Sequence, residues 1–258
     1  MRETFVKQLC KGGCALALLV AWALPAAAQA RGNIRSTSRI TIKPERLGDF
    51  QAAAKEYATI VKKAGWDKSF TVWRSQTGPS EFLLSRYFEK WADIGPESGM
   101  AQDPKLKEVS ADLMRLGVRI AQCEDKTERL IAEVLPELSL PRAAEPPVMI
   151  RVLRSQVKPD RVDEYLTLIQ NEVLPAAKKS GATTFSVARV RYGAPSTEFI
   201  SVLGLQGWGD MDGGGPIVKA MGGENAYRAF LRKITPLLVE SQYDVYRFQP
   251  DLSYRPPR

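Results

Sequence analysis

The stretch KPERLGDF, residues 43–50, recurs later in the chain as KPDRVDEY, residues 158–165. Four further matches keep the same order along the chain: FTVWR at 70–74 with FSVAR at 185–189, GPSEF at 78–82 with GAPSTEF at 193–199, WAD at 91–93 with WGD at 208–210, and PELS at 136–139 with PDLS at 250–253. The offset stays between 114 and 117 residues. A register kept over five matches predicts that the chain is a tandem duplication of one structural unit.

Each copy predicts the element order strand-helix-strand-strand-helix-strand. In the first copy the strands are expected at residues 35–43, 69–76, 81–88 and 129–135, and the helices begin at Pro44 and Pro104, because proline suits a first helical turn. Apolar residues three and four apart mark the helices of both copies: Leu47, Phe50, Ala54, Tyr57, Val61 and Ala64; Leu106, Val109, Leu113, Leu116 and Ile120; Val162, Tyr165, Ile169, Val173 and Ala176; Tyr227, Phe230, Ile234 and Leu237. The second copy also predicts strands at 199–205 and 243–248.

This order predicts an α+β fold made of two ferredoxin-like (βαββαβ) repeats, residues 31–139 and 148–258. The linker between them, residues 140–147, contains three prolines, which disfavour helices and central strands. A ferredoxin-like sheet has helices on one face only. Because the third strand carries apolar residues on both faces, we expect the two sheets to pack against each other within one chain.

The first thirty residues have the pattern of an export signal. Three basic residues precede the apolar stretch 14–28, and Ala28-Gln29-Ala30 offers a small-x-small cleavage site. The alternative is a membrane anchor, but the apolar run is shorter than the ~20 residues that a span requires. The sequence therefore predicts cleavage near Ala30, a periplasmic or secreted protein, and no association with the membrane after cleavage.

The chain has 37 lysines and arginines against 29 aspartates and glutamates, a net charge of +8. Residues 1–30 carry three basic and one acidic group, so the cleaved protein is close to +6. The excess is spread along the chain, without a lysine block or aromatic residues interleaved with basic ones. It favours anionic small molecules over nucleic acid as partners.

Histidine is absent from the chain, and Cys123 is the single cysteine after residue 30. This composition excludes histidine-dependent triads, histidine-ligated haem and the commonest zinc and iron sites. A single cysteine cannot form an internal disulfide, so the fold must depend on its core. We therefore expect no metal and no cofactor, and a buried, unreactive thiol at Cys123.

Two such units packed face to face resemble the dimeric α+β barrel superfamily, which includes the antibiotic-biosynthesis monooxygenase-like and NIPSNAP-like domains. The resemblance covers nearly all of residues 31–258 and rests on element order, on the duplication, and on a Trp-x-Asp directly after each third strand (Trp91 and Asp93; Trp208 and Asp210). It implies a barrel fold and allows cofactor-free oxygenases, isomerases and members without known activity. Haem-handling branches depend on histidine, which this chain lacks. Fold alone leaves the function open.

Most of the candidate site residues are polar or aromatic residues that occur in both copies. Arg39 pairs with Arg154 on the first strands and Arg74 with Arg189 on the second strands, and arginine is well suited to bind carboxylate or phosphate. The aromatic candidates for a pocket wall are Trp73, Trp91 and Trp208. The weaker catalytic candidates are Asp93, Asp210 and Tyr87, although a capping role explains both aspartates.

The leading prediction is therefore an exported protein that binds a small aromatic or anionic molecule in a barrel pocket, as a monomer with pseudo-twofold symmetry or a weak homodimer. One alternative is a cofactor-independent monooxygenase or isomerase of the antibiotic-biosynthesis monooxygenase type. Another is a protein-interaction module that joins partners through exposed sheet edges.

Overall fold

A computed structural model describes residues 32–95 and 100–257 of the chain. The expected export signal, residues 1–30, lies outside the described residues and stays a prediction. Among the described residues, no helix is both long enough and apolar enough to cross a bilayer.

The first half contains four strands and two helices. They are β1 (Ile34–Ile42), α1 (Leu47–Lys63), β2 (Thr71–Ser75), β3 (Glu81–Phe88), α2 (Ser110–Cys123) and β4 (Glu124–Val134). Short 3-10 turns at Pro44–Arg46 and Pro104–Val109 precede the two helices, so both prolines begin helical segments as the sequence predicts. Gly65, with φ +64°, follows α1 in the left-handed conformation that glycine tolerates best.

The second half repeats this order with more breaks in its helices. Its elements are β5 (Met149–Val157), α3 (Val162–Leu168), α4 (Leu174–Lys179), β6 (Phe185–Tyr192), β7 (Glu198–Leu205), α5 (Pro216–Met221), α6 (Glu224–Ile234) and β8 (Leu238–Phe248). The short helix α5 has no counterpart among the predicted elements. It begins at Pro216, directly after a run of three glycines with positive φ.

A π-helical turn, Ile169–Val173, separates α3 from α4. Pro175 explains it, because proline has no N–H to donate to the carbonyl four residues earlier and its ring collides with that turn. Instead the N–H of Leu174 bonds to the carbonyl of Ile169, five residues back. The apolar spacing predicts the helical segment correctly but does not reveal this wider turn.

The eight strands form one closed antiparallel barrel in the order β1-β3-β2-β8-β5-β7-β6-β4. Within it, the first four strands are ordered β4-β1-β3-β2 and the last four β8-β5-β7-β6. The halves join where β2 pairs with β8 and where β4 pairs with β6. The second strand of each half, β2 or β6, is the last strand of its own half and is paired with a strand of the other half. Every described strand is hydrogen-bonded on both sides, so an interaction module that uses free sheet edges has no edge to use.

Three apolar clusters fill the molecule. One lies between the helices and the sheet in each half, and the third lines the barrel interior. Strand β7 shows why both faces are buried: Phe199 and Leu203 pack towards the helices, whereas Ile200 and Val202 pack inside the barrel. Apolar residues on both faces of the third strand are thus correctly interpreted as two-sided covering. Cys123 is buried and free, as expected.

Strands β4 and β8 begin earlier than the sequence predicts, at Glu124 and Leu238 rather than near residues 129 and 243. The added residues are mostly exposed and polar, so they lack the alternation of apolar and polar residues that marks a half-buried strand. They extend as strands because they pair with β1 and β5, respectively.

Candidate functional site

A cavity of about 180 Å³ lies inside the barrel. Side chains alternate between the two faces of a strand, and every second residue of each strand points inwards. The apolar part of the wall is formed by Trp73, Leu83, Tyr87, Leu130, Ile150, Val152, Ile200 and Val202. The linker predicted at 140–147 lies over one end and contributes Arg142, Glu145 and three prolines to the lining. The cavity is therefore mainly apolar and is covered at one end by the connection between the halves.

Two ion pairs occupy matched positions of the two halves. Arg39 donates to Glu81 at 3.0 Å, and Arg154 donates to Glu198 at 2.7 Å. Both glutamates are buried. Arg39 also contacts Glu128, at 3.5 Å. Burial alone would lower the pKa of the Arg39 guanidinium, but the Glu81 carboxylate outweighs this and raises it. Both interior arginines that the sequence predicts are thus neutralised by carboxylates.

Tyr246 extends the ion pair of the first half. Its buried hydroxyl donates to the second oxygen of Glu81, with 2.6 Å between Oη and Oε1. Burial, and then this hydrogen bond to a carboxylate, raise the pKa of Tyr246 far above its usual value. The tyrosine is therefore neutral at physiological pH and serves as a donor.

Arg35 differs from the other two interior arginines. It lines the cavity and is only 6% exposed. Its Nε has no hydrogen-bond partner among the described residues, and no ion pair joins Arg35 to a described carboxylate. In the ladder it lies opposite Tyr87 on β3 and Ala132 on β4. Among the described residues, Arg35 is thus a buried guanidinium that forms no ion pair.

The linker and the C-terminal segment meet at the Arg35 end of the cavity. The guanidinium of Arg142 lies over the ring of Tyr87, 3.3 Å from its centroid. Arg255 donates to Glu145 at 2.7 Å, and both residues contribute to the lining. These contacts connect the cover of the cavity to its wall.

The structure brings together four of the predicted site residues and separates the others. Arg39, Arg154, Trp73 and Tyr87 all line the barrel cavity. Arg74 directly follows Trp73 on β2, so the alternation of side chains points it away from the interior. Arg189 also lies outside the lining, and its Nε donates to the carbonyl of Ser196 at 3.1 Å.

The Trp-x-Asp residues also lie outside the linings of both cavities described here. Trp91 is 43% exposed and Trp208 is 48% exposed. Asp93 accepts a hydrogen bond from the backbone N–H of Lys90 at 3.1 Å, and Asp210 accepts one from Gln206 at 2.6 Å. Both aspartates therefore cap the turn that follows the third strand, which is the structural role that the sequence allows.

The interior residues that the sequence analysis did not select are Arg35, Glu81, Glu198 and Tyr246. A signal for three of them was present. Glu81 and Glu198 occupy matched positions of the repeat, as their arginine partners do. Arg35 lies four residues before Arg39, so the two must share one face of β1. No comparable pattern identified Tyr246, because its hydrogen bond depends on how the halves join.

A second cavity, of about 230 Å³, lies between the helices and the sheet of the second half. Apolar residues from α6, β7 and β8 surround it, together with Ser155, Ser201 and Tyr227. The buried hydroxyl of Tyr165 lies beside those of Ser155 and Ser201; burial raises the pKa of Tyr165, and hydrogen bonding to the two serines opposes this. Burial, and then the neighbouring Tyr243, raise the pKa of Tyr227. This cavity is therefore lined by hydroxyl groups and by one charged side chain, Arg151.

No group of three or more aspartate, glutamate, cysteine or histidine side chains within residues 32–95 and 100–257 could hold a metal ion. Haem does not fit either cavity by the usual route, because the chain contains no histidine to ligate the iron.

No protein-family model and no curated protein matches the chain. Solved structures match it in fold. A provisionally assigned monooxygenase from Lactobacillus acidophilus has a TM-score of 0.58 at 9% identity, over 85% of this chain and 94% of that one. An anthrone oxidase-like protein has a TM-score of 0.55 at 15% identity, over 84% and 91%. A mutant chlorite dismutase from Candidatus Nitrospira defluvii has a TM-score of 0.53 at 10% identity, over 85% of this chain and 93% of that one. The chain therefore has the dimeric α+β barrel fold, and these identities show the fold alone.

Proposed function

We propose that this protein binds a small, largely apolar molecule inside its barrel. The observation that carries the proposal is the cavity of about 180 Å³, with aromatic and branched aliphatic walls and a cover formed by the linker. Eight-stranded barrels have interiors that are either filled by side chains or able to hold one small ligand. Small residues such as Thr37, Ser85 and Ser186 line this barrel and leave room for a ligand.

We also propose that the two halves arose by tandem duplication, that the barrel is complete in one chain, and that the protein acts after export. The matched sequence stretches, the identical strand order of the halves and the matched arginine–glutamate pairs support the first point. The closure of the barrel within one chain supports the second. The pattern of residues 1–30 supports the third.

Native mass spectrometry of the protein, purified from the exported fraction of its host and compared with its denatured mass, tests the proposed binding. We expect a reproducible additional mass that is lost on denaturation. The matched control is Ser85→Phe, which fills the cavity from one wall. This variant should keep the fold by circular dichroism and lose the additional mass. A wild-type protein without additional mass, unresponsive to small aromatic compounds, contradicts the proposal.

A second candidate function is a cofactor-independent oxygenase that uses the cavity between helices and sheet. The specific observation in its favour is the group of buried hydroxyls, Tyr165, Ser155 and Ser201, beside Tyr227. The similarity in fold to an anthrone oxidase-like protein suggests anthrone as a probe. Oxygen uptake with anthrone that falls at least tenfold in Tyr227→Phe would support this function. Uptake equal to that of buffer would exclude anthrone oxidation.

A further inference from the structure

We infer that the ligand of the barrel is a carboxylate, and that Arg35 binds its carboxylate group. The inference rests on the proposed function, because it names the chemical class of the molecule that the barrel cavity accepts. Its basis is the juxtaposition of a mainly apolar, aromatic-lined cavity with the buried guanidinium of Arg35, whose Nε has no hydrogen-bond partner among the described residues.

The first step concerns the cost of burying Arg35. Arginine stays protonated inside proteins, so burial cannot be relieved by loss of its proton. A buried charge without a partner is strongly unfavourable, and proteins therefore pair such charges. Arg39 and Arg154 follow this rule with Glu81 and Glu198, whereas Arg35 does not. A negatively charged ligand would supply the missing partner.

The second step concerns the charge of that ligand. Arg39 contacts two carboxylates, Glu81 and Glu128, and Arg154 contacts Glu198, whereas no described carboxylate pairs with the single positive charge of Arg35. A carboxylate carries one negative charge and balances it. A phosphate monoester carries nearly two, and its second charge would lie in an apolar interior. Arg142 and Arg255 also line the cavity, where they contact the ring of Tyr87 and the carboxylate of Glu145, respectively.

The third step concerns geometry. The Nε of Arg35 is buried and unpartnered. The Nε–H and one Nη–H of a guanidinium point in parallel and match the two oxygens of a carboxylate. The rest of the molecule would then contact the apolar wall, including Trp73, Val152 and Val202. This arrangement selects a small aromatic or alicyclic carboxylic acid rather than an inorganic anion or a neutral aromatic compound.

Benzoate and benzamide form the matched probe pair, since they share size and shape and differ in charge. Isothermal titration of both compounds into the purified protein should show binding of benzoate that is at least tenfold tighter than binding of benzamide. Arg35→Met should weaken benzoate binding by about 10- to 100-fold and leave benzamide binding unchanged. Arg35→Lys keeps the positive charge but cannot donate two parallel hydrogen bonds to a carboxylate. It should therefore bind benzoate more tightly than benzamide by a smaller factor than the wild type does. Arg191→Met is the control, because Arg191 is an exposed arginine paired with Glu133 outside both cavities.

The possible outcomes separate the two proposals. Equal binding of both compounds, unchanged in Arg35→Met, overturns the carboxylate inference and leaves the barrel as a binding site. If neither compound binds, nitrate serves as a smaller planar monoanion that enters a cavity closed to a ring. A rise in melting temperature with nitrate that Arg35→Met abolishes supports the anion site and contradicts an aromatic ligand. No response of the wild type to any of the three probes overturns the inference.

Discussion

The two seams at which the halves of the barrel join are built from different residues. At the seam of β2 and β8, Trp73 packs against Phe248 with 5.1 Å between ring centroids, and Tyr246 reaches across to Glu81. At the seam of β4 and β6, the interior holds Ala132 and Ala188. In the repeat, Trp73 matches Ala188 and Tyr246 matches Ala132. Matched positions are thus large at one seam and small at the other.

This comparison distinguishes the residues that stabilise the fold from the residues that determine the shape of the cavity. The arginine–glutamate pairs are kept in both halves and lie at matched strand positions, which is expected of residues that stabilise a repeated architecture. The residues that differ between halves determine the space and the charge inside the barrel. Arg35 belongs to this second class, because its match in the second half is Ile150. The candidate site therefore includes positions at which the two halves differ.

Trp73→Ala should have the largest effect, because it makes the two seams alike. Trp73 is buried, and its removal leaves a cavity beside Phe248. We expect a loss of about 3–5 kcal/mol in the free energy of unfolding. Urea denaturation followed by far-ultraviolet circular dichroism measures it. A loss below about 1 kcal/mol would show that the aromatic seam does not stabilise the barrel.

Glu81→Gln and Glu198→Gln compare the two matched ion pairs. Each leaves a partly buried arginine beside a neutral amide, which is destabilising, although Arg39 keeps its contact with Glu128. Glu81 also accepts the hydrogen bond of Tyr246. We therefore expect the free energy of unfolding to fall by about 3 kcal/mol in Glu81→Gln and by about 2 kcal/mol in Glu198→Gln. Denaturation of both variants with the same probe gives the difference. Equal losses would mean that Tyr246 adds no stability through Glu81.

Asp103→Asn should have a smaller effect, confined to the first half. Burial would raise the pKa of Asp103, but hydrogen bonds from Lys68, Trp66 and the backbone N–H of Lys105 outweigh this and lower it. A lowered pKa stabilises the folded state above the unfolded pKa of about 3.9, and this stabilisation disappears as the pH falls through the folded value.

We therefore expect Asp103→Asn to cost about 1–2 kcal/mol at pH 7 and progressively less below pH 4. Unfolding measured between pH 3 and pH 7 in both proteins tests this. Asp67→Asn is the control, because Asp67 forms only an exposed ion pair with Lys105. A loss that does not depend on pH would assign the effect of Asp103→Asn to packing.

The sequence predicts most of the fold because the matched stretches of the two halves supply each signal twice. Proline at helix starts, apolar periodicity and the two-sided third strand all correspond to observed elements. Closure of the barrel was not predictable from the edge strands alone, since β2 has five residues and pairs with β8 through only three of them. The pairing of edge strands between the halves depends on the shape of both sheets. A local pattern of apolar and polar residues contains no information about that shape.

The candidate site was predicted in part, for a related reason. Searching for residues kept in both halves finds Arg39 and Arg154 but misses Arg35, which occurs once. The same criterion wrongly selects Arg74 and Arg189 as site residues. Side chains alternate between the two faces of β2 and β6, so each of these arginines points away from the interior when its neighbour points inwards. Residues that occur in both halves are mainly those that stabilise the fold. A ligand site whose residues occur in one half only is not found by that criterion.

Trp91→Ala and Trp208→Ala should have the smallest effects, although both tryptophans are kept in the repeat. Both are more than two-fifths exposed, so their removal creates no internal cavity. Trp91 contacts Tyr192 edge-to-face at 5.7 Å, and this pair joins the two halves near the β4–β6 seam. We expect about 1 kcal/mol for Trp91→Ala and less for Trp208→Ala, measured by urea denaturation. Losses of 3 kcal/mol or more in the free energy of unfolding would show that both side chains belong to the core. The two tryptophans would then be kept in both halves for stability, as the ion pairs are.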